Sequence, residues 1–179
     1  ADFDELTAYK PPFDGLDVLV QSQGFVRYQQ AEYEKQGWDD VMDININSVM
    51  HTATKFKAML SERNGSLIIV SSVSGFSANI GNPAYAASKA AAVSLTKTLA
   101  QAWARDGIRV NGLAPGLVPT KLTAVTTENE QRSAATLRAI PVRRYGTPEE
   151  MAGVAMFLAS PLASYVQGHT IIADGGLTL

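Results

Sequence analysis

Four short apolar runs, Leu16 to Val20, Ser66 to Ser71, Ile108 to Leu113 and His169 to Ala173, are separated by longer segments of helical periodicity. That alternation constrains the fold more than any other feature of the chain. Runs of this length, rich in β-branched residues, read as strands. From Trp38 to Met59 the apolar residues Trp38, Val41, Met42, Val49, Ala53, Phe56 and Met59 recur at helical spacing. Pro83 to Ala104 is Ala-rich with strong helix propensity, and Gly107 stops it. Thr147-Pro148-Glu149-Glu150 is a helix start, with Thr as cap, Pro at the first position and Glu three residues after the cap. Met151, Val154, Ala155 and Leu158 mark the face that this helix buries. Residues 117–140 are polar and read as a loop with a weak helix. Strands alternating with helices predict an α/β fold with a parallel sheet and crossover helices. Strands that are apolar throughout predict cover on both faces. In such sheets the ligand crevice lies at the carboxyl ends of the strands, here after Val20, Val70, Leu113 and Ala173.

Composition narrows the function. The 179 residues fit one domain, and 46% hydrophobic against 18% charged residues suits a packed core. Fifteen Lys+Arg against seventeen Asp+Glu leave a net charge of -2, so there is no basic footprint for nucleic acid. The absence of Cys excludes disulfides, thiolate metal sites and cysteine nucleophiles. His51 and His169 lie far apart, and no metal site is expected. No apolar run approaches the roughly 20 residues that span a bilayer. The opening Ala-Asp-Phe-Asp-Glu-Leu lacks the basic and apolar regions of a signal peptide. A soluble, cytoplasmic protein with no membrane partner is therefore expected.

One constellation carries chemistry. Ser72 follows the second strand, and Tyr85 and Lys89 lie near the start of the Ala-rich helix, four residues apart and hence on one face. A nearby cation favours phenolate and lowers the phenol's pKa. Such a Tyr exchanges a proton with a substrate hydroxyl or carbonyl, and a facing Ser holds the same oxygen. The competing reading is an ordinary solvated Tyr/Lys pair. Placement beside a strand end favours the site.

The runs Ile69-Val70-Ser71-Ser72, Tyr85-Ala86-Ala87-Ser88-Lys89, Ile108-Arg109-Val110-Asn111 and Pro115-Gly116 appear in order and spacing. Thr147-Pro148-Glu149-Glu150, Phe157-Leu158-Ala159-Ser160, Gly168 and Asp174-Gly175-Gly176 follow them. From about Leu16 to Gly176 the chain resembles the short-chain dehydrogenase/reductase family. The resemblance implies a Rossmann-like, doubly wound parallel sheet in a three-layer αβα arrangement. It implies an oxidoreductase that uses NAD or NADP to interconvert a secondary alcohol and a ketone. Tyr85 would be the general acid/base, Lys89 would lower its pKa and hold the nicotinamide ribose, and Ser72 would orient the substrate oxygen. Asn45 would help to organise a proton relay through water. Gly24, Pro115, Gly116, Val118 and Thr120, with Tyr85 and Lys89, would contact the cofactor. For Asn45 the plainer alternative is a buried Asn bonded to helix backbone, and for Pro115-Gly116 a plain loop after a strand.

The departures from the family are also informative. The sequence contains no Gly-rich turn of the type that holds a pyrophosphate at a helix N-terminus. Fifteen Asp-rich, Pro-containing residues precede the first strand, too few for two βα units. Where the family has N-N-A-G, this chain has Gln21-Ser22-Gln23-Gly24. The expectation is one partial Rossmann-like domain over residues 1–179, with the first βαβα portion missing and Leu16 to Val20 as an edge strand. A degenerate, non-catalytic paralogue serving as a binding or scaffold subunit is the alternative. Finally, Ala92, Val93, Leu95, Leu99, Ala100 and Trp103 cover more of the Ala-rich helix than one core-facing stripe. They predict a second face that meets another subunit in a homodimer or homotetramer; the plainer alternative is a helix sunk between sheet and loop.

Overall fold

Each apolar run becomes a strand whose ends fall within two residues of the expectation. In the computed structural model, which describes residues 3–179, the strands are β1 (Val18–Gln21), β2 (Ser66–Val70), β3 (Arg109–Pro115) and β4 (Thr170–Ala173). They form one parallel sheet in the order β1-β2-β3-β4. Register pairs Gln21 with Ile69 and Val70 with Leu113, so the carboxyl ends of the first three strands stand side by side. The helices are α1 (Phe3–Ala8), α2 (Lys35–Met42), α3 (Ser48–Glu62), α4 (Pro83–Trp103), α5 (Ala124–Thr127), α6 (Glu130–Ala139) and α7 (Pro148–Ala159).

Alternation along β2 divides the molecule into layers. Leu67 and Ile69 join Val49, Ala53 and Leu60 of α3 and Ala92, Leu99, Ala100 and Trp103 of α4 in the main core. On the other face α7 packs against β2 and β3. Ser66 Oγ donates to Leu158 O there at 3.2 Å, and Arg109 Nη1 donates to the same carbonyl at 2.7 Å.

Several expectations need correction. Cover on both faces holds for β2 and β3, but Val20 is 45% exposed and Ile172 38%, because the strand order leaves β1 and β4 at the edges. The helix expected from Trp38 to Met59 is broken by a π-helical segment, Asp43–Asn47. Residues 117–140 hold α5 and the ten-residue α6, which buries none of its residues and therefore shows little apolar periodicity. Ala92, Val93, Leu99, Ala100 and Trp103 are all buried within this chain, and Leu95 packs against the same core. All six serve the core of this chain, so the argument that they meet another subunit fails. Among the described residues no helix is long and apolar enough to cross a membrane.

Candidate active site

The ends of β1, β2 and β3 open onto a cavity of about 660 Å³. Ser72, Tyr85 and Lys89 all line it, with Gly24, Pro115, Gly116, Val118 and Thr120. Met151, Ala152 and Ala155 of α7 close another side. A smaller hollow of about 220 Å³ lies between α7 and Asp174 and contains none of the Ser, Tyr and Lys set.

Local chemistry fixes this geometry. Beyond β2 the chain turns through a 3₁₀ segment, Val73–Gly75, and Ser72 is its cap, with Oγ accepting from Ser74 N at 3.1 Å. Ser71 Oγ donates to Lys89 O at 2.7 Å. Gly75 lies so close to α4 that a Cβ there would stand 2.8 Å from both the carbonyl carbon and oxygen of Lys89. A side chain at this position would lift the turn, and Ser72 with it, off the helix. Tyr85 and Lys89 share a face of α4 as expected, with Nζ 5.7 Å from the Tyr85 ring centroid.

The electrostatics depart from the sequence reading. Burial raises the Tyr85 phenol above its ordinary value, and the Ser72 hydroxyl opposes the rise. Tyr28 and Glu32 add smaller contributions that raise it further. Lys89 is not among the groups that produce this shift. The ammonium is turned toward β2, where Nζ donates to Val70 O at 2.9 Å, and Gln23 O lies at 3.5 Å. Burial brings Lys89 itself down to about 8.

The side chain of Asn45 does not line the cavity. It is buried in the π-helical segment, where Oδ1 accepts from Phe25 N at 2.7 Å. Its Nδ2 donates to Phe25 O at 2.9 Å and to Ser88 Oγ at 3.0 Å. It thus ties the loop after β1 to α4. Gly24 sits beside Lys89 Nζ. The altered Gln21-Ser22-Gln23 stretch still approaches Lys89 through the Gln23 carbonyl, while Gln23 Nε2 donates to Ser48 Oγ at 3.1 Å. Gly116 has a packing reason of its own, since a Cβ there would lie 2.6 Å from Asp174 Cα. Val118 is buried and Thr120 lies exposed at the rim.

Sequence reasoning missed Tyr28, Glu32 and Gly75. The Tyr28 hydroxyl donates to Leu122 O, joining the loop after β1 to a residue of the segment after β3 that lines the cavity. Glu32 is buried against the start of α4 and accepts from Tyr85 N at 2.9 Å. None of the three sits in a periodic pattern, and the groups through which they bear on the site, Leu122, Tyr85 and Lys89, lie far from them along the chain.

Residues 5–178 match the family model described as enoyl-(acyl carrier protein) reductase. The chain is 40% identical over 167 residues to the 2-dehydro-3-deoxy-D-gluconate 5-dehydrogenase of Escherichia coli, a match covering 92% of this chain and 66% of that protein. It is 42% identical over 166 residues to the 3-oxoacyl-(acyl-carrier-protein) reductase of Thermotoga maritima, covering 92% of this chain and 67% of that protein. Among solved structures, a gluconate 5-dehydrogenase from Burkholderia cenocepacia in complex with NADP and tartrate superimposes with a TM-score of 0.89 at 34% identity. That match covers 98% of this chain and 69% of the other. The chain therefore spans about two-thirds of the length of these relatives.

Proposed function

This chain belongs to the short-chain dehydrogenase/reductase family, and we propose that it carries the proton-handling part of an NAD(P)-dependent oxidoreductase that interconverts a secondary alcohol and a ketone. One observation carries the reading: Ser72, Tyr85 and Lys89 open together into a single cavity at the carboxyl ends of parallel strands.

The residues present suit the nicotinamide half of a dinucleotide. Lys89 Nζ has three hydrogens, and its bonds to Val70 O and Gln23 O use two of them. The third is left for a ribose hydroxyl on the cavity side. Val20, Leu113 and Val118 offer an apolar wall for a flat ring, next to the backbone of Gly24, Pro115 and Gly116. When bound, the nicotinamide supplies the hydride donor or acceptor. The chain supplies the rest. Ser72 Oγ donates to the substrate oxygen and holds it near the Tyr85 hydroxyl. Tyr85 gives that oxygen a proton during ketone reduction and takes it back during alcohol oxidation. A Lys89 ammonium that turns from Val70 O toward the phenol when substrate is bound would oppose the rise that burial imposes on it. Asn45 acts as a brace that holds α4 to the loop carrying Gly24.

We assign the pyrophosphate grip, for which this sequence offers no Gly-rich turn, to residues outside it. The unit described is then one partial Rossmann-like domain, with β1 continuing the sheet toward a first βαβα portion. Exposed Met156 on α7, and exposed Leu162 and Tyr165 in the turn that follows it, support self-association there, in place of the α4 face.

The test is dinucleotide-coupled turnover of a panel of ketones by the full-length protein and by Tyr85→Phe. Turnover that survives in Tyr85→Phe, or dinucleotide binding with no turnover at all, overturns the reading. The assignment of the pyrophosphate grip has its own test. Charge-assisted hydrogen bonds contribute about 1.5–3 kcal/mol each. Lacking two of them weakens binding by roughly two to four orders of magnitude. Titration calorimetry of NADPH into the isolated 179-residue chain is expected to show only millimolar affinity. Micromolar affinity places the grip within these residues instead.

A further inference from the structure

We infer that Glu32 is a positioning residue for Tyr85: its carboxylate reaches over from another segment to cap the N-terminus of α4 and fixes where the phenol stands. The proposal rests on the role given to Tyr85 above.

A helix start leaves its first N–H groups without partners inside the helix. The residue before α4 normally supplies the acceptor. Asn82 occupies that place and makes no side-chain cap bond, and the first turn of α4 contains no acidic residue. Asn82 Nδ2 instead donates to Arg27 O at 2.8 Å and to Glu32 Oε1 at 3.1 Å. Glu32 Oε2 accepts from Tyr85 N at 2.9 Å, at the third helical position, and Oε1 also accepts from Arg27 N at 3.0 Å. Both oxygens therefore act as acceptors, and a negative group here also complements the positive end of the helix dipole.

Burial makes this arrangement demanding. Glu32 is 1% exposed, and Glu is almost never so deeply buried without partners. Its removal leaves three donors without their acceptor, two of them backbone N–H groups. The turn that delivers it is held in an unusual conformation. Gln29 and Gln30 have φ of 60° and 62°, left-handed backbone at two consecutive residues that are not glycine. Such a turn persists only when its surroundings over-determine it. Tyr33, next to Glu32, supplies a second tie, with its hydroxyl donating to Ile80 O at 2.8 Å in the loop before α4. The turn around Glu32 is thus fastened to the start of α4 from two sides, and Tyr85 is the residue whose amide it holds.

The groups bearing on the Tyr85 phenol are Ser72, Tyr28 and Glu32, and the Lys89 ammonium stands 5.7 Å from the ring centroid. The Glu32 charge is among those that raise it. In ketone reduction Tyr85 is the proton donor, and activity is lost as pH rises through its pKa. Neutralising Glu32 lowers that pKa and brings the loss to lower pH.

The experiment compares Glu32→Gln, Glu32→Asp and Tyr85→Phe in the full-length protein, with cooperative melting to establish folding. In Glu32→Gln the side-chain NH₂ must oppose a donor in either orientation. Its kcat is expected to fall roughly 10–100-fold, as a small misplacement of a reacting group does, with the KM for NADPH unmoved and the alkaline limb displaced to lower pH. Glu32→Asp keeps the charge and is expected to lose kcat with the limb in its original place. Should Glu32→Gln fail to fold, Asn82→Ala frees one side of the carboxylate and is expected to lower kcat at unchanged KM for NADPH. Wild-type kcat and an unmoved limb in folded Glu32→Gln, or wild-type kcat in Asn82→Ala, overturn the proposal while an inactive Tyr85→Phe leaves the active-site reading standing. Turnover in Tyr85→Phe overturns both.

Discussion

The starts of α4 and α7 meet the same need in opposite ways. At α7 the cap is local and exposed. Thr147 Oγ1 accepts from Glu150 N at 3.3 Å, Glu150 Oε2 accepts from Thr147 N at 2.9 Å, and Arg144 braces the carboxylate from solvent. At α4 the acceptor comes from Glu32, 53 residues before the amide it meets, and it is buried. A helix start capped by its own neighbours is fixed relative to itself. One capped from a distant loop is fixed relative to that loop and to whatever the loop borders. The first belongs to a helix whose job is to cover the sheet. The second belongs to the helix that presents Tyr85 and Lys89 to the cavity.

The largest effect that sharpens this contrast is expected from Tyr85→Phe. The substitution removes only the hydroxyl and leaves the amide bond to Glu32 in place. Turnover is expected to fall about 10²–10⁴-fold, as for loss of a general acid/base, with little change in melting temperature. A large loss of stability in Tyr85→Phe would break the contrast, because the phenol would then be serving packing and not chemistry.

Lys89 supplies the next largest effect, and here function and stability oppose each other. Its folded-state pKa, about 8, lies below the ordinary 10.5. Below pH 8 the ammonium is charged in both states, and the folded state bears the full cost of burying it. Between about 8 and 10.5 the unfolded chain holds the proton and the folded chain does not, so stability rises with pH. The depression corresponds to about 3 kcal/mol. Lys89→Met is therefore expected to raise stability at neutral pH, less whatever the unpaired Val70 carbonyl costs, and to abolish most turnover. Its advantage is expected to shrink between pH 8 and 10.5, as read by urea denaturation across that range. Equal pH dependence in both proteins would show that the charge is not paid for in folding.

How much of this was legible in the sequence follows from the range of each interaction. Thr147-Pro148-Glu149-Glu150 announced the α7 cap because all of its partners lie within four residues, and the structure has the capping box in full. Ser72, Tyr85 and Lys89 were legible because a strand end and one helical turn suffice to bring them together. Glu32 gave no sign, since the Asn82 and Tyr85 donors that it meets lie 50 and 53 residues further on and its own surroundings are Gln-rich and aperiodic. Gly75 was likewise silent, because its need for a hydrogen in place of a side chain exists only against the Lys89 backbone. The orientation of Lys89 toward Val70 O, and the net rise of the Tyr85 phenol, come from burial in three dimensions. The π-helical break before α3 left no mark on an apolar spacing that continues through it.

The smallest effect is expected at α7, and its character matters more than its size. Thr147→Ala deletes the acceptor for Glu150 N and keeps the Thr147 backbone N–H that Glu150 itself accepts. Loss of a Thr cap costs about 0.5–2 kcal/mol. The Arg144 guanidinium, and then that backbone N–H, hold the Glu150 carboxyl down to about 2, below its ordinary 4.5. A carboxylate depressed in this way stabilises the folded state above pH 4.5, and the contribution is lost as pH falls from 4.5 toward 2. Because Thr147→Ala leaves both of these partners in place, its stability is expected to sit below wild type by a nearly constant amount across that window. Turnover at neutral pH is expected to stay at the wild-type level, since α7 meets the cavity through Pro148, Met151, Ala152 and Ala155 and not through its cap. Urea denaturation from pH 2 to 7, with turnover measured on the same preparation, checks both halves. A fall in turnover without a fall in stability would mean that the α7 cap, like the α4 one, sets the geometry of the site, and the distinction between local and remote capping would lose its functional meaning.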